Sequence, residues 1–162
     1  MLAVRILGVD LGSKRIGLAV SDVEGEIAFP AGLLDSRGRK RDIAALRALI
    51  AEREIGRVVV GLPLHMDGRR GPEAEKATRF AADLSKATGI PVDTLDERWT
   101  SMEAERLLAD APGKRRSQKR AERRARGTVD EMAASIILRT YLQQRAQLEQ
   151  DATAARDDDG ED

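Results

Sequence analysis

The 162-residue chain contains no cysteine, a single histidine (His65) and four aromatic residues, Phe29, Phe80, Trp99 and Tyr141. The lack of cysteine excludes a disulfide framework and any thiolate zinc site. With so few aromatics, an extended stacking platform for single-stranded bases is not expected, so contacts to backbone charge and shape should dominate any nucleic-acid recognition. No apolar run is long enough to span a bilayer. The start Met1-Leu2-Ala3-Val4-Arg5-Ile6 lacks the basic-then-apolar-then-small order of a signal peptide, and a cytoplasmic protein is expected. The length suits one domain with a sizeable core.

The formal net charge of zero hides two opposed blocks. Between Gly113 and Gly127 stand Lys114, Arg115, Arg116, Lys119, Arg120, Arg123, Arg124 and Arg126 against the single acid Glu122, a net +7. From Glu149 to Asp162 seven acids face only Arg156, a net −6. The basic stretch suits a polyanionic partner through counterion release, or is simply a solvated charge run. With almost nothing large and apolar to bury, Lys114 to Arg126 is expected to be a mobile arm, and residues 149–162 a disordered acidic tail beyond a domain of residues 1–148.

Within this polar chain one carboxylate is out of place. In Gly8-Val9-Asp10-Leu11-Gly12-Ser13-Lys14-Arg15-Ile16-Gly17-Leu18-Ala19-Val20-Ser21-Asp22, Asp10 falls inside an apolar strand beside three glycines. An ionised carboxylate taken from water costs several kcal/mol, on the order of the penalty for buried ions, unless a cation or hydrogen bonds offset it. Gly8, two residues earlier and on the same face, leaves space above the sheet, while Gly12 and Gly17 suit a tight hairpin. The pattern reads as a site for a metal or a phosphate.

Arg5 to Leu11, Ile16 to Asp22 and Ala28 to Leu34 read as an antiparallel meander. Arg39 to Glu54 reads as an amphipathic helix, Arg57 to Gly61 as a strand buried on both faces, Gly71 to Thr88 as a second helix and Pro91 to Leu95 as a fifth strand. Thr100 with Glu103, and Thr128 with Glu131, have capping-box spacing and mark two more helix starts. The order βββαβαβαα predicts an α/β fold with a mixed five-stranded sheet and helices on both faces.

Two further acids stand at informative places. Glu97 directly follows the fifth strand, where open α/β sheets put ligands. Asp130 lies in the first turn of the last helix, at the margin of an apolar stripe of Val129, Met132, Ala133, Ile136, Ile137, Thr140 and Tyr141, and Ala133 and Ala134 would allow close approach to the sheet. Each acid also has an ordinary reading: Asp130 favoured by the macrodipole, Glu97 paired with Arg98, Asp10 capping a turn. Spacing alone does not show that the three meet.

Taken together, Gly8-x-Asp10-x-Gly12-x-Lys14-Arg15-Ile16-Gly17-x-Ala19-x-Ser21-Asp22, Gly61-Leu62-Pro63-Leu64-x-Met66-Asp67-Gly68, Asp96-Glu97-Arg98-x-Thr100 and Val129-Asp130-x-x-Ala133-Ala134 resemble the YqgF family, also called RuvX. That family is described as nucleases of the small-subunit ribosomal RNA precursor, related to the Holliday junction resolvase RuvC. Trp99 and Ser101 replace the more usual Leu and Thr, and neither is an expected ligand. The resemblance implies an RNase H-like fold and an acidic metal site at Asp10, Glu97 and Asp130. Oxygen-only ligands suit Mg²⁺ or Mn²⁺, two such ions with Asp10 bridging, and Lys14, Arg15 and Arg98 would neutralise the phosphate. His65 is either a surface loop residue or an accessory group near the site. Trp99 either packs or stacks on a base.

The expected function is a metal-dependent endonuclease acting on pre-16S rRNA. A Holliday junction resolvase-like DNA nuclease and a non-catalytic RNA-binding maturation factor are the alternatives, with monomer and homodimer both open. The Asp10-x-Gly12 turn also resembles the first phosphate loop of actin-like and sugar-kinase ATP-binding proteins. Those pair two such domains, and this chain has neither the length nor the repeat.

Overall fold

The computed structural model describes residues 4–98 and 118–158, and the side chains of residues 4–98 and 131–156. The chain runs β1 (Arg5–Leu11), β2 (Arg15–Ser21), β3 (Ala28–Asp35), α1 (Arg39–Glu52), β4 (Ile55–Leu62), α2 (Pro72–Thr88), β5 (Val92–Asp96) and α3 (Gln118–Asp158). The strands form one mixed sheet in the order β3-β2-β1-β4-β5. The meander is antiparallel, with Asp10 opposite Gly17. Parallel pairing joins β4 to β1 (Val9↔Val60) and to β5 (Leu62↔Asp96). Crossovers through helices make those pairings parallel, so β1, β4 and β5 all end at the same edge of the sheet.

Alternation along the strands divides the core in two. Leu7, Val9, Val58 and Val60 pack with Leu46 of α1 and Phe80 and Leu84 of α2 on one face. Ile6, Ala19, Val59 and Leu95 pack under Ala134, Ile137, Leu138, Tyr141 and Leu142 of α3 on the other. The run Val58-Val59-Val60 is fully buried because helices cover both of its faces.

The helix α3 lies unusually close to the sheet. A Cβ on Gly8 would stand 2.8 Å from the Leu138 Cβ and 3.1 Å from the Ala134 carbonyl oxygen. The space above Gly8 thus belongs to α3 and not to a ligand. Further along, Leu142 approaches Gly25 and shares a groove with Val4 and Ile6, at the start of β1. The helix is therefore antiparallel to β1, with its earlier residues toward the end of β1 that carries Asp10. Arg57 Nη1 donates to Asp93 Oδ2 at 2.8 Å, the Tyr141 hydroxyl donates to the same oxygen, and the Arg145 guanidinium stands 5.8 Å from the Tyr141 ring centre. This network ties α3 to β4 and β5.

Three expectations about this helix need correction. It begins at Gln118, ten residues before the expected cap at Thr128, because strong helix formers such as Arg, Lys, Glu and Ala fill residues 119–126. Of its expected stripe Ile136, Ile137 and Tyr141 are buried, but Met132, Ala133 and Thr140 are only half-buried, and Ala134, Leu138 and Leu142 complete the packed face instead. Residues 149–158, read as a disordered tail, continue the helix; residues 149–156 are exposed, and an i,i+4 bond from Gln147 Nε2 to Asp151 Oδ1 at 2.9 Å supports the extension. Lys119, Arg120, Arg123, Arg124 and Arg126 belong to α3, not to a separate arm. Lys114, Arg115, Arg116, Trp99 and the capping pair at Thr100 lie outside the described residues. Among the described residues, no helix is long and apolar enough to cross a membrane.

Candidate active site

The common end of β1, β4 and β5 collects two of the expected acids. One residue beyond the Val9↔Val60 pair, Asp10 is a neighbour of Gly61 on one side, and of Gly17 on the other. Neither neighbour has a side chain, so the Asp10 carboxyl stands in an open slot on the α3 face. Glu97 follows β5, its backbone N–H donating to the Leu62 carbonyl at 3.0 Å. Its carboxyl folds back over β4: a Cβ on Gly61 would lie 2.2 Å from Glu97 Oε1 and 2.7 Å from Ile137 Cδ1. Gly61 is the residue to which the sequence pattern alone assigns no task. A glycine ending a β-branched run is the signal for it, since a strand interior tolerates glycine where another group must approach the backbone.

In that slot the Glu97 carboxyl is close enough to Asp10 to feel both its charge and a side-chain hydrogen bond. Burial, then the Asp10 charge, then that hydrogen bond, push Glu97 up to about 7. Two carboxylates sharing one proton are a pair in need of a cation. Oxygen-only donors, like-charged and pre-assembled in a partly dry slot, fit a hard divalent ion such as Mg²⁺ or Mn²⁺. Among the described residues no group of three His, Cys, Asp or Glu side chains forms.

The third expected acid, Asp130, is placed by its backbone only. It lies one turn before Ala134, on the part of α3 that leads from Gly8 toward the Asp10 end of β1. One helical turn advances about 6 Å, and two strand residues, from Gly8 to Asp10, advance about 7 Å. Position 130 therefore lies toward the Asp10 end of β1.

The remaining expected residues surround this edge without converging on it. Lys14 and Arg15 are exposed on the β1–β2 turn, and Arg15 Nε stands 3.9 Å from Asp35 Oδ1. Arg98 is engaged by Asp96: Nε and Nη2 reach Oδ2 at 2.9 and 2.6 Å. The Arg98 hydrogen bonds, ahead of an opposing effect of burial, hold the Asp96 carboxyl below its usual range. Arg98 Nη1 also reaches the Met66 carbonyl at 3.5 Å, bracing the 63–71 loop against the end of β5. His65 is exposed in that loop, its ring over Gly71, where a Cβ would meet Nε2 at 2.8 Å.

Known proteins resemble this chain in sequence and in fold. A protein of Chloroflexus aurantiacus named "Putative pre-16S rRNA nuclease" is 45% identical over 143 residues, covering 86% of this chain and 87% of its own. One of the same name from an Anaeromyxobacter species is 44% identical over 142 residues, covering 88% and 98%. Among solved structures, Thermus thermophilus RuvC in complex with a Holliday junction substrate superposes with a TM-score of 0.55 at 15% identity over 89% of this chain and 96% of that one. The yeast mitochondrial Holliday junction resolvase Ydc2 gives 0.53 at 14% identity over 92% and 82%. These resolvases have the RNase H-like fold, which this chain shares. A family model described as "RuvX: Holliday junction resolvase" matches residues 4–144, and the chain belongs to the RuvX family.

Proposed function

We propose that this protein is a divalent-metal-dependent endonuclease that hydrolyses phosphodiester bonds of pre-16S rRNA in the cytoplasm during ribosome maturation. The observation that carries the reading is the Asp10–Glu97 pair, held together in a glycine-lined slot at the strand ends. The names of the 45% and 44% identical proteins point to the substrate.

Asp10 and Glu97, with Asp130 as the third ligand, would hold Mg²⁺ or Mn²⁺. When bound there, such ions activate a water and stabilise the leaving oxygen of a phosphodiester. Glu97 must give up the proton it shares with Asp10 for the site to load, so loading is favoured above its raised pKa. Lys14 and Arg15 stand on the turn next to Asp10, where their exposed cations can meet phosphate. Arg98 serves by holding Asp96 and the 63–71 loop, and His65 in that loop is an accessory that can contact substrate. The cations from Lys114 to Arg126 supply non-specific attraction for the nucleic acid.

The family model's description makes a four-way DNA junction the second substrate to try. The deciding assay compares pre-16S rRNA, plain single strands and four-way junctions with Mg²⁺ or Mn²⁺, using Asp10→Asn as control. Metal-dependent cleavage of the rRNA precursor, lost in the folded variant, is expected. Equal cleavage by wild type and a nuclease-free Asp10→Asn preparation would overturn the reading.

A further inference from the structure

On the opposite face of the sheet from the carboxylate pair, a cavity of about 440 Å³ opens at the same edge. Its apolar walls are Leu11, Ile16 and Phe80, and Gly12 forms part of its rim. Side chains alternate along β1, so Asp10 faces α3 while Leu11 faces this cavity. The carboxylates and the cavity are therefore the two sides of one strand end, separated by the exposed turn that carries Lys14 and Arg15. Ser36, also at the rim, is tied to that turn by its N–H on the Lys14 carbonyl at 2.9 Å.

The charges around the cavity do not cancel. Asp42 is turned inward, accepting from the Ser36 hydroxyl at 2.6 Å and the Arg37 N–H at 2.8 Å. Glu75 is paired with Arg70 at 3.3 Å, and Arg39 with Asp83 at 3.2 Å. Lys76 and Arg79 line the cavity, are exposed and have no ion pair among the described residues. An apolar hollow of this size with two uncommitted cations at its mouth suits a ligand that is flat and apolar at one end and anionic at the other.

We infer that this cavity is a nucleotide subsite, taking one unstacked nucleotide of the strand being cleaved, its base against Leu11 and Phe80 and its phosphate between Lys76 and Arg79. The inference rests on the nuclease reading above for its substrate strand, but not for the binding itself. A strand with one phosphate at Asp10 passes over the Gly12 turn to reach the cavity. The subsite would select an unpaired nucleotide beside the cut, because a base stacked in a duplex cannot enter.

Uridine 5′-monophosphate titrated into the ¹⁵N-labelled full chain is the direct probe, with uridine and inorganic phosphate as separate arms. Saturable shifts are expected at the amides of Gly12, Ser36, Gly38 and Lys76, weakened at least five-fold in Lys76→Gln/Arg79→Gln. No shift at those amides, equal binding by the double variant, or phosphate binding as tight as the nucleotide would overturn the inference. In cleavage assays the double variant should raise KM for RNA at least five-fold. An unchanged KM with mononucleotide binding lost would overturn the assignment to the substrate strand and leave a free nucleotide as the occupant. Because Asp10 is not part of the cavity, the titration on Asp10→Asn separates failure here from failure of the nuclease reading.

Discussion

The Glu97 carboxyl lies over the backbone of Gly61 beside that of Asp10, although Asp10 belongs to the first strand of the chain and Glu97 follows the last. Like charges brought this close raise the free energy of the empty site, and that repulsion is what a divalent ion relieves. Asp10→Asn should therefore abolish metal-dependent cleavage while the metal-free variant melts no lower than metal-free wild type. Thermal denaturation in chelator checks the second half, and a lower melting temperature would mean that Asp10 is a structural acceptor.

The same pair sets a pH dependence. Glu97 rises from an ordinary 4.5 to about 7 on folding, so between those values the folded protein holds a proton that the unfolded chain has released. Stability from this group is present below pH 4.5 and is lost as pH rises through about 7, by about 3 kcal/mol at most. Urea unfolding of metal-free protein should show a decline from pH 5 to 7.5 that Glu97→Gln flattens. Saturating Mg²⁺ should flatten it as well, by displacing the proton.

Gly61→Ala should separate packing from charge. Its added carbon would stand 2.2 Å from Glu97 Oε1 and 2.7 Å from Ile137 Cδ1, so both must move. A stability loss of about 1–3 kcal/mol is expected from overpacking, together with much weaker Mn²⁺ binding, measurable by calorimetry. Retention of wild-type metal affinity would show that the Glu97 position is not critical.

Tyr141→Phe removes the hydroxyl that donates to Asp93 and leaves the ring in place. Burial pushes Asp93 up, but the hydrogen bonds from Tyr141 and Arg57 outweigh it and hold the carboxyl below its ordinary range. The variant should lose about 1 kcal/mol in urea unfolding, and the Asp93 pKa should rise in a carboxyl NMR titration.

Replacing Arg120, Arg123, Arg124 and Arg126 with Gln should weaken binding to RNA and DNA alike. The slope of log affinity against log salt should flatten by about 0.7 to 0.9 for each phosphate that the variant no longer neutralises. An unchanged slope would reduce the basic stretch to a solvated helix face.

The strands were legible because their signals are local. Val58-Val59-Val60 is β-branched and uninterrupted, and the glycine-bounded meander alternates. The orientation of α3 was not legible, since Met132 to Leu142 is apolar on nearly every side and periodicity cannot choose the packed face. Close approach to Gly8 and Gly61 chooses it instead, and that depends on atoms that glycine lacks. The capping match at Thr128 misled because two residue types at one spacing weigh less than a run of strong helix formers. Asp10 stood out alone through its apolar surroundings, whereas its meeting with Glu97 is a property of strand order.

The close approach of α3 to bare glycine backbone also makes the helix a ruler. Displacing it by one residue would move it about 1.5 Å and turn it by about 100°, carrying Leu138 and the Ala134 carbonyl off Gly8. On the proposed reading, with Asp130 as the third metal ligand, the interval from position 130 to position 134 is a fixed length. Insertion or deletion of a single residue inside it should unload the metal site in a protein that still folds, while added residues upstream of the ruler's first mark should be absorbed without loss.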